Sequence, residues 1–241
     1  MILPVAAPLP GALLLATLAG LAIPVGAALA RLERFLPGWL ETELRHSVIA
    51  FGGGALFSAI ALVLVPEGSL RLHPFPAICW FGAGGLIFFF LDRKLSAHGG
   101  SAAQFMAMVL DYLPEAMALG SLIAGDPAVA LLMAGLIALQ NLPEGFNAYR
   151  EIEESGKLRG GRLMALFLLM VPLGPAAAAM GLLVLDDQPE VLGAVMLFSA
   201  GGILYLIFED VAPQVRLETT WGPPLGAVAG FMLGLAGALY T

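Results

Sequence analysis

Eight apolar stretches, each about 20 residues long, follow one another along this chain of 241 residues. A helix needs roughly 20 mostly apolar residues to cross the hydrocarbon layer of a bilayer. Only 12% of the residues are charged, about half the share found in soluble domains. The sequence therefore predicts one all-α, polytopic membrane domain over residues 1–241. The predicted spans, numbered 1 to 8 in chain order, are 11–30, 47–65, 76–91, 103–124, 127–149, 162–185, 191–209 and 222–240.

Two other readings of these stretches are disfavoured. The runs are rich in Ala, Leu and Gly and lack the period-2 alternation of a transmembrane β-barrel. Span 1 has no basic residue ahead of it and is longer than the core of a signal peptide, so we expect a retained helix. The formal charge of -7 and the absence of a basic run argue against a nucleic-acid partner.

The basic residues predict the orientation of the spans, because cytoplasmic loops carry an excess of Lys and Arg. With both termini outside the cytoplasm, Arg71 is the only one of the 11 basic residues on the outer side. The ten on the inner side are Arg31, Arg34, Arg45, Arg93, Lys94, Arg150, Lys157, Arg159, Arg162 and Arg216. We therefore expect a plasma (inner) membrane protein with both termini extracytoplasmic.

Short segments of the first three spans recur in the last three. Ala-Ile-Pro-Val-Gly (22–26) in span 1 resembles Met-Val-Pro-Leu-Gly (170–174) in span 6. Leu-Phe-Ser-Ala occurs at 56–59 in span 2 and again at 197–200 in span 7. The two sets of spans run in opposite directions under the predicted topology. This pattern indicates an inverted repeat, which many secondary transporters use to build two interconvertible halves.

Three carboxylates lie inside the predicted spans, namely Asp111 and Glu115 in span 4 and Glu144 in span 5. Neither of those spans contains a lysine or arginine. A carboxylate at the bilayer centre costs about 2.5–3.5 kcal/mol on insertion scales, so it requires a partner and usually serves a function. Either the acids are protonated hydrogen-bonding groups, or a mobile cation is their partner.

The context of these acids is duplicated. Span 4 reads Asp-Tyr-Leu-Pro-Glu-Ala (111–116) and span 5 reads Gln-Asn-Leu-Pro-Glu-Gly (140–145). The first residue and the Glu of each copy are at i and i+4 and share a helix face. Because the spans are antiparallel, we expect Asp111 level with Glu144, and Glu115 level with Gln140. Each interior proline removes a backbone hydrogen bond beside this cluster.

At these residues the sequence resembles the ZIP (Zrt/Irt-like) family of divalent-metal transporters, whose fourth and fifth helices carry His-Asn-x-Pro-Glu-Gly and a near copy of it. The resemblance extends to spans 1, 2, 3, 6 and 7. It implies a 3+2+3 arrangement, in which spans 1–3 and 6–8 surround spans 4 and 5. It also implies that the matching positions Asp111, Glu115, Gln140 and Glu144 are the metal ligands, and that the halves expose the site alternately to each side.

The departures from the family pattern predict the kind of site. Asp111 replaces the usual His of span 4, Tyr112 replaces the following Asn, and Val171 stands where some members have a Glu. A second metal site, to which Asn141 would contribute, is therefore not expected. His46, His73 and His98 fall in loops or at span ends, so the expected ligands are all oxygen. Such ligands favour Mn²⁺ or Fe²⁺ but still bind Zn²⁺.

Three further residues are candidates for the ion pathway. Ser58 in span 2 is a candidate fifth ligand, although a serine in a helix rich in small residues usually makes a packing contact. Glu209 and Asp210, at the inner end of span 7, could receive an ion that leaves the site.

The residues and the resemblance together predict a carrier of a divalent metal of the Zn, Mn or Fe class, with no prosthetic group and the lipid bilayer as its surroundings. Two alternatives stay open: a degenerate relative that binds or senses metal without transport, and an intramembrane enzyme. The enzyme is disfavoured because the chain has neither His-Glu-x-x-His nor Gly-x-Ser-x-Gly. A homodimer is one arrangement that the sequence leaves open.

Overall fold

The computed structural model describes residues 8–33, 38–97, 103–185, 187–215 and 221–240. Within these ranges lie eight helices that are long and apolar enough to cross a membrane, and none of the described residues forms a β-strand. The all-α architecture expected from the sequence is therefore confirmed, and the eight helices are compatible with a multi-pass membrane protein. Arg34, His98 and Arg216, which entered the sequence argument, lie outside the described ranges.

The observed spans begin and end close to the predicted ones, with two exceptions. They are Pro8–Leu32, Glu43–Arg71, Pro74–Lys94, Met108–Gly125, Pro127–Glu154, Gly160–Leu185, Pro189–Val215 and Pro223–Tyr240. Spans 2 and 7 each run six residues past their predicted ends, from 65 to Arg71 and from 209 to Val215. The prediction that spans 2 and 7 end at residues 65 and 209 was therefore wrong.

A π-helical turn explains both extensions. Span 2 consists of the α-helix Gly38–Ala59, a π-helical turn Ile60–Leu64 and the α-helix Val65–Arg71. Pro66 therefore stands in the first turn of the last segment, where its missing N–H costs nothing. Span 7 repeats this order, with Pro189–Leu206, a π-helical turn Ile207–Val211 and then Ala212–Val215, which contains Pro213. Span 6 is also divided, into Gly160–Met170, Leu173–Met180 and a π-helical turn Gly181–Leu185.

Burial and packing separate the spans into an inner and an outer group. In the most apolar windows of spans 2 and 7, 67% of the residues are buried inside the bundle, against 11% in span 3 and 17% in span 8. Span 3 packs along span 7, and span 8 packs along span 2. Span 5 contacts spans 1, 2 and 4, while span 4 contacts spans 5, 6 and 7. Spans 2, 4, 5 and 7 thus form the interior in which the buried acids lie.

The close approach of spans 1 and 5 depends on two glycines. A Cβ added to Gly145 would overlap the carbonyl oxygen of Ile23, and one added to Gly26 would overlap the carbonyl oxygen of Leu142. Because the obstructing atoms are backbone, no side-chain rotation could relieve these overlaps. Small residues that let backbones approach are the usual means of helix packing in membranes, where no hydrophobic force drives helices together.

A single residue, Asp126, joins span 4 to span 5. Its Oδ1 accepts hydrogen bonds from the backbone N–H groups of Ala128 and Val129, both at 3.1 Å, and so caps the N-terminus of span 5. We call this end of the bundle the Asp126 end. The opposite end, which contains the connection 155–159 between spans 5 and 6, is the Lys157 end.

Asp126→Ala is expected to destabilise the bundle by about 1 kcal/mol, because two N–H groups of the first turn of span 5 lose their acceptor. The measurement is the midpoint of unfolding in a denaturing-detergent titration followed by circular dichroism. Asp126→Asn is the control, since its side-chain oxygen can accept the same bonds. Equal midpoints for the Ala and Asn variants would show that the cap contributes nothing.

Candidate metal site between spans 4 and 5

Spans 4 and 5 present their duplicated motifs to each other. Gln140 donates a hydrogen bond from Nε2 to Oε2 of Glu115. The carboxyl groups of Asp111 and Glu144 lie within hydrogen-bonding reach of each other. The pairwise alignment expected from the sequence is therefore confirmed, whereas the role of these four side chains as metal ligands stays a prediction.

The four side chains are removed from solvent. Glu115 and Gln140 are fully buried, Asp111 is 3% exposed, and Glu144 is partly buried. Continuous helices carry them, because Pro114 and Pro143 lie inside Ala103–Gly125 and Pro127–Glu154 without ending either helix. A charge held at such a position is costly unless another group compensates it.

Each of the four side chains holds one buried oxygen for which the described part of the chain supplies no hydrogen-bond donor. These atoms are Oδ1 of Asp111, Oε1 of Glu115, Oε1 of Gln140 and Oε2 of Glu144. An unsatisfied buried acceptor costs about 1–3 kcal/mol. All four unpartnered atoms are acceptors, so a cation or a proton would satisfy them and an anion would not.

The four side chains form two pairs and not one cage, Asp111 with Glu144 and Glu115 with Gln140. Among the described residues, no three His, Cys, Asp or Glu side chains stand close enough together to hold a metal ion. Each pair joins span 4 to span 5, and Gln140 supplies the amide oxygen of the second pair. An ion bound by all four side chains would therefore have to draw the two pairs together.

Asn141 and Tyr112 point from the site helices toward span 1. Asn141 is fully buried and donates from Nδ2 to the carbonyl of Ala19 at 3.2 Å. The buried hydroxyl of Tyr112 donates to the carbonyl of Ala16 at 3.4 Å. It fills the crossing of spans 1 and 6, where a Cβ on Gly20 or Gly174 would overlap it. This phenol thus occupies space beside the site that smaller side chains would leave open.

Ser58, the candidate fifth ligand, forms its hydrogen bond within its own helix. It is fully buried, but its Oγ donates to the carbonyl of Ala55 in its own helix at 2.7 Å. The same hydroxyl lies against span 8, where a Cβ on Gly234 would overlap it. Ser58 thus makes a packing contact between spans 2 and 8, and its role as a candidate fifth ligand stays a prediction.

Glu209 and Asp210 belong to a different acidic group, at the Lys157 end. Both lie in the π-helical turn of span 7 and hydrogen-bond to each other. Asp210 also interacts electrostatically with Asp92 of span 3 and Glu151 of span 5. Tyr205 donates a hydrogen bond to Oδ2 of Asp92 at 3.0 Å. The π-helical turn therefore gathers acids from three spans away from the central pairs.

Two cavities flank the interior, one toward each end. The larger, of about 1110 Å³, lies toward the Asp126 end and is lined by spans 2, 3, 4 and 7 and the connection after span 2. Pro114, the chain neighbour of Glu115, is part of its wall. The other cavity, of about 590 Å³, is lined by apolar residues of spans 2, 7 and 8.

Sequence reasoning missed one buried polar side chain close to the site. Asn147 of span 5 is 6% exposed, and its Oδ1 has no hydrogen-bond partner among the described residues. The signal was present in the sequence, since Asn147 follows Glu144 by three residues and therefore shares its helix face.

Comparison with known proteins gives no further guide to this site. No protein-family model matches the chain, and neither does any curated protein.

Proposed function

We propose that this protein is a membrane carrier for a divalent metal cation, similar to the ZIP family in its site and architecture. The observation that carries the proposal is the set of four buried oxygens, one on each of Asp111, Glu115, Gln140 and Glu144, for which the described residues supply no donor. Three of the four side chains are acids, and the one basic residue in the two site helices, Arg150, lies at the Lys157 end and pairs with Glu154. A visiting dication would neutralise this charge and satisfy these oxygens together.

The donor set bears on the choice of ion. Carboxylate and amide oxygens suit Mn²⁺ and Fe²⁺, while Zn²⁺ prefers nitrogen and sulfur but also binds oxygen. One neutral ligand, Gln140, moderates the charge of the site. Moderate affinity serves a carrier, which must release its ion as well as bind it. Protonation of Glu115 or Glu144 would assist release by removing a charged ligand.

The packing of the spans supports an inverted repeat. Exchanging spans 1, 2, 3 and 4 with spans 6, 7, 8 and 5 converts each main contact into another. Span 1 on span 5 becomes span 6 on span 4, and span 8 on span 2 becomes span 3 on span 7. The exchanged spans 2 and 7 each contain a π-helical turn, Ile60–Leu64 and Ile207–Val211, which precedes a proline at the same spacing but lies six residues farther from the Leu-Phe-Ser-Ala segment in span 7.

The two cavities support the same exchange. Ala50, Gly53, Gly54 and Phe57 of span 2 line the smaller cavity. In the register of the Leu-Phe-Ser-Ala repeat, these positions correspond to Val191, Ala194, Val195 and Phe198 of span 7, which line the larger cavity. We propose that spans 1–3 and 6–8 form the two halves and that spans 4 and 5 carry the ion between them, in a 3+2+3 arrangement.

The two halves pack differently against spans 4 and 5. This difference suggests how access to the site could alternate between the two ends. A Cβ on Gly52 of span 2 would overlap the Pro143 ring, so span 2 packs directly against span 5. Pro114 of span 4 instead faces the larger cavity. If span 7 packed directly against Pro114 and a cavity opened beside Pro143 instead, the Asp126 end would close and the Lys157 end would open.

We propose that the Asp126 end faces outward and the Lys157 end faces the cytoplasm of a plasma (inner) membrane. The count of ten basic residues against one supports this orientation. The exception, Arg71, is paired with Glu67 at 2.6 Å, which offsets its charge. The acids at the Lys157 end would then receive ions arriving from the site, so net movement would be inward.

The test is uptake of metal into liposomes that contain the purified protein. We expect saturable uptake along a metal gradient, with Mn²⁺, Fe²⁺ and Zn²⁺ competing with one another, and no uptake by protein-free liposomes. Competition among Mn²⁺, Fe²⁺, Zn²⁺, Co²⁺ and Cd²⁺ would identify the preferred ion. Calorimetric titration would detect binding independently of flux.

Two results would contradict the carrier. Metal binding without flux would favour a protein that binds or senses metal without transporting it. Hydrolysis of a peptide or lipid by the purified protein would favour an intramembrane enzyme, in which the paired carboxylates would act in acid–base chemistry.

A further inference from the structure

The polar residues of span 5 continue beyond the site in one direction only. Gln140, Glu144, Asn147 and Glu151 are spaced i, i+4, i+7 and i+11. At about 100° per residue, this spacing keeps all four on one face of the helix. With a rise of about 1.5 Å per residue, the stripe covers roughly 16 Å from the site toward the Lys157 end.

Span 4 provides an internal comparison, because its motif matches that of span 5 with an offset of 29 residues. The positions that correspond to the stripe are Asp111, Glu115, Ala118 and Leu122. Beyond the site, span 4 is therefore apolar where span 5 is polar. The duplicated motif alone does not account for a polar side chain at position 147.

Burial of Asn147 lowers the stability of the folded protein, because its side-chain oxygen loses its hydrogen bonds to water. The residue is 6% exposed, and within the described residues its Oδ1 lacks a donor. Such an acceptor costs about 1–3 kcal/mol relative to a satisfied one, and alanine at this position would avoid the cost. The same deficit marks the four site oxygens, so the chemistry that would satisfy those atoms would satisfy this one.

The far end of the stripe meets other acids. Glu151 interacts electrostatically with Asp210 of span 7, which hydrogen-bonds to Glu209 and lies near Asp92. A group of acids raises the local concentration of cations. Asn147 thus stands between a central site with unpartnered oxygens and an acidic region at the Lys157 end.

We propose that Asn147 is a transit ligand, whose side-chain oxygen takes the metal ion from Glu144 and passes it toward Glu151 and Asp210. The inference rests on the proposed carrier function and adds the route by which the ion leaves. The step from Glu144 to Asn147 is about 4.5 Å along the helix axis. A side-chain oxygen at this position would lower the barrier between the two acidic sites, because it gives the ion a partner on the way.

The experiment compares uptake with binding in four proteins, using Mn²⁺ as the probe: the wild type, Asn147→Leu, Asn147→Asp and Ser199→Ala. Leucine is similar to asparagine in volume but has no side-chain oxygen, whereas aspartate keeps a side-chain oxygen at the same position. Ser199 is the control because it is buried but hydrogen-bonds to the carbonyl of Val195 in its own helix, at 2.8 Å. Uptake is measured in liposomes, and affinity by calorimetry in detergent.

Asn147→Leu is expected to lower the rate of Mn²⁺ uptake about tenfold, the effect of a barrier raised by about 1.4 kcal/mol. Its affinity for Mn²⁺ is expected to stay within about twofold of the wild type, since the four site ligands are intact. Asn147→Asp and Ser199→Ala are expected to retain uptake.

Several results would overturn the inference. Wild-type uptake that Asn147→Leu leaves unchanged would overturn it while the carrier function stands. Loss of affinity together with uptake in Asn147→Leu would assign Asn147 to the binding site or to folding. Loss of uptake in Asn147→Asp would mean that the oxygen is not what matters. Absence of uptake by the wild type would overturn the carrier function and this inference together.

Discussion

Glu144→Gln is expected to reduce metal uptake by roughly a hundredfold or more, since loss of a mere supporting partner of a metal ligand already costs about 10–100-fold. The substitution keeps the shape of the side chain and removes one charge from the cluster. Glu115→Gln is expected to act in the same way. Both variants should fold, because removing an uncompensated buried charge relieves a cost of insertion into the bilayer.

The measurement is initial uptake into liposomes at equal protein content, with folding checked by circular dichroism and gel filtration. Glu154→Gln is the matched control, since it changes the same residue type in the same span. Glu154 is exposed and forms a surface ion pair with Arg150 at 3.2 Å. Undiminished uptake by both Glu115→Gln and Glu144→Gln would count decisively against these residues as ligands.

Gly145→Leu is expected to destabilise the folded bundle by about 3 kcal/mol or more, at the upper end of the usual cost of overpacking. Even the first added carbon would overlap the backbone carbonyl of Ile23, so spans 1 and 5 would have to separate. Because Glu144 is the chain neighbour of Gly145, the separation would also disturb the metal site. Loss of uptake and loss of stability are therefore expected together.

The stability of this variant is measured by the midpoint of a denaturing-detergent titration. Gly135→Leu is the control, because a Cβ at Gly135 in the same span meets no described atom within 4 Å. The two variants add the same side chain to the same helix, so helix propensity and hydrophobicity are matched. Equal midpoints would contradict the inferred close approach of the two backbones.

The features of the fold that depend on the length of the apolar segments and on helical periodicity could be predicted from the sequence. The number of spans follows from the length of apolar chain that a bilayer requires. The pairing of Asp111 with Glu144 and of Glu115 with Gln140 follows from helical periodicity and from the reversal of the chain between them. These features require only that spans 4 and 5, which are neighbours in the sequence, pack side by side.

The features that depend on packing between helices could not be predicted from the sequence. Ser58 is an equally good candidate ligand on paper, but its direction depends on span 8, which contacts it at Gly234. The extensions of spans 2 and 7 beyond residues 65 and 209 were not predicted, because a π-helical turn has no simple sequence signature. The cost of burying Asn147 became visible only once its surroundings were known.

The one-residue connection at Asp126 sets the register of span 4 against span 5 throughout the site. It fixes the height of one helix against the other, so the residue numbers of each cross-helix pair, 111 with 144 and 115 with 140, add to the same total. A single insertion between 116 and 139 would turn one member of every pair by about 100° and slide it by about 1.5 Å. We therefore expect an insertion or deletion at this turn to break the cross-helix pairs, whereas one in the connection 155–159 at the opposite end would leave them intact.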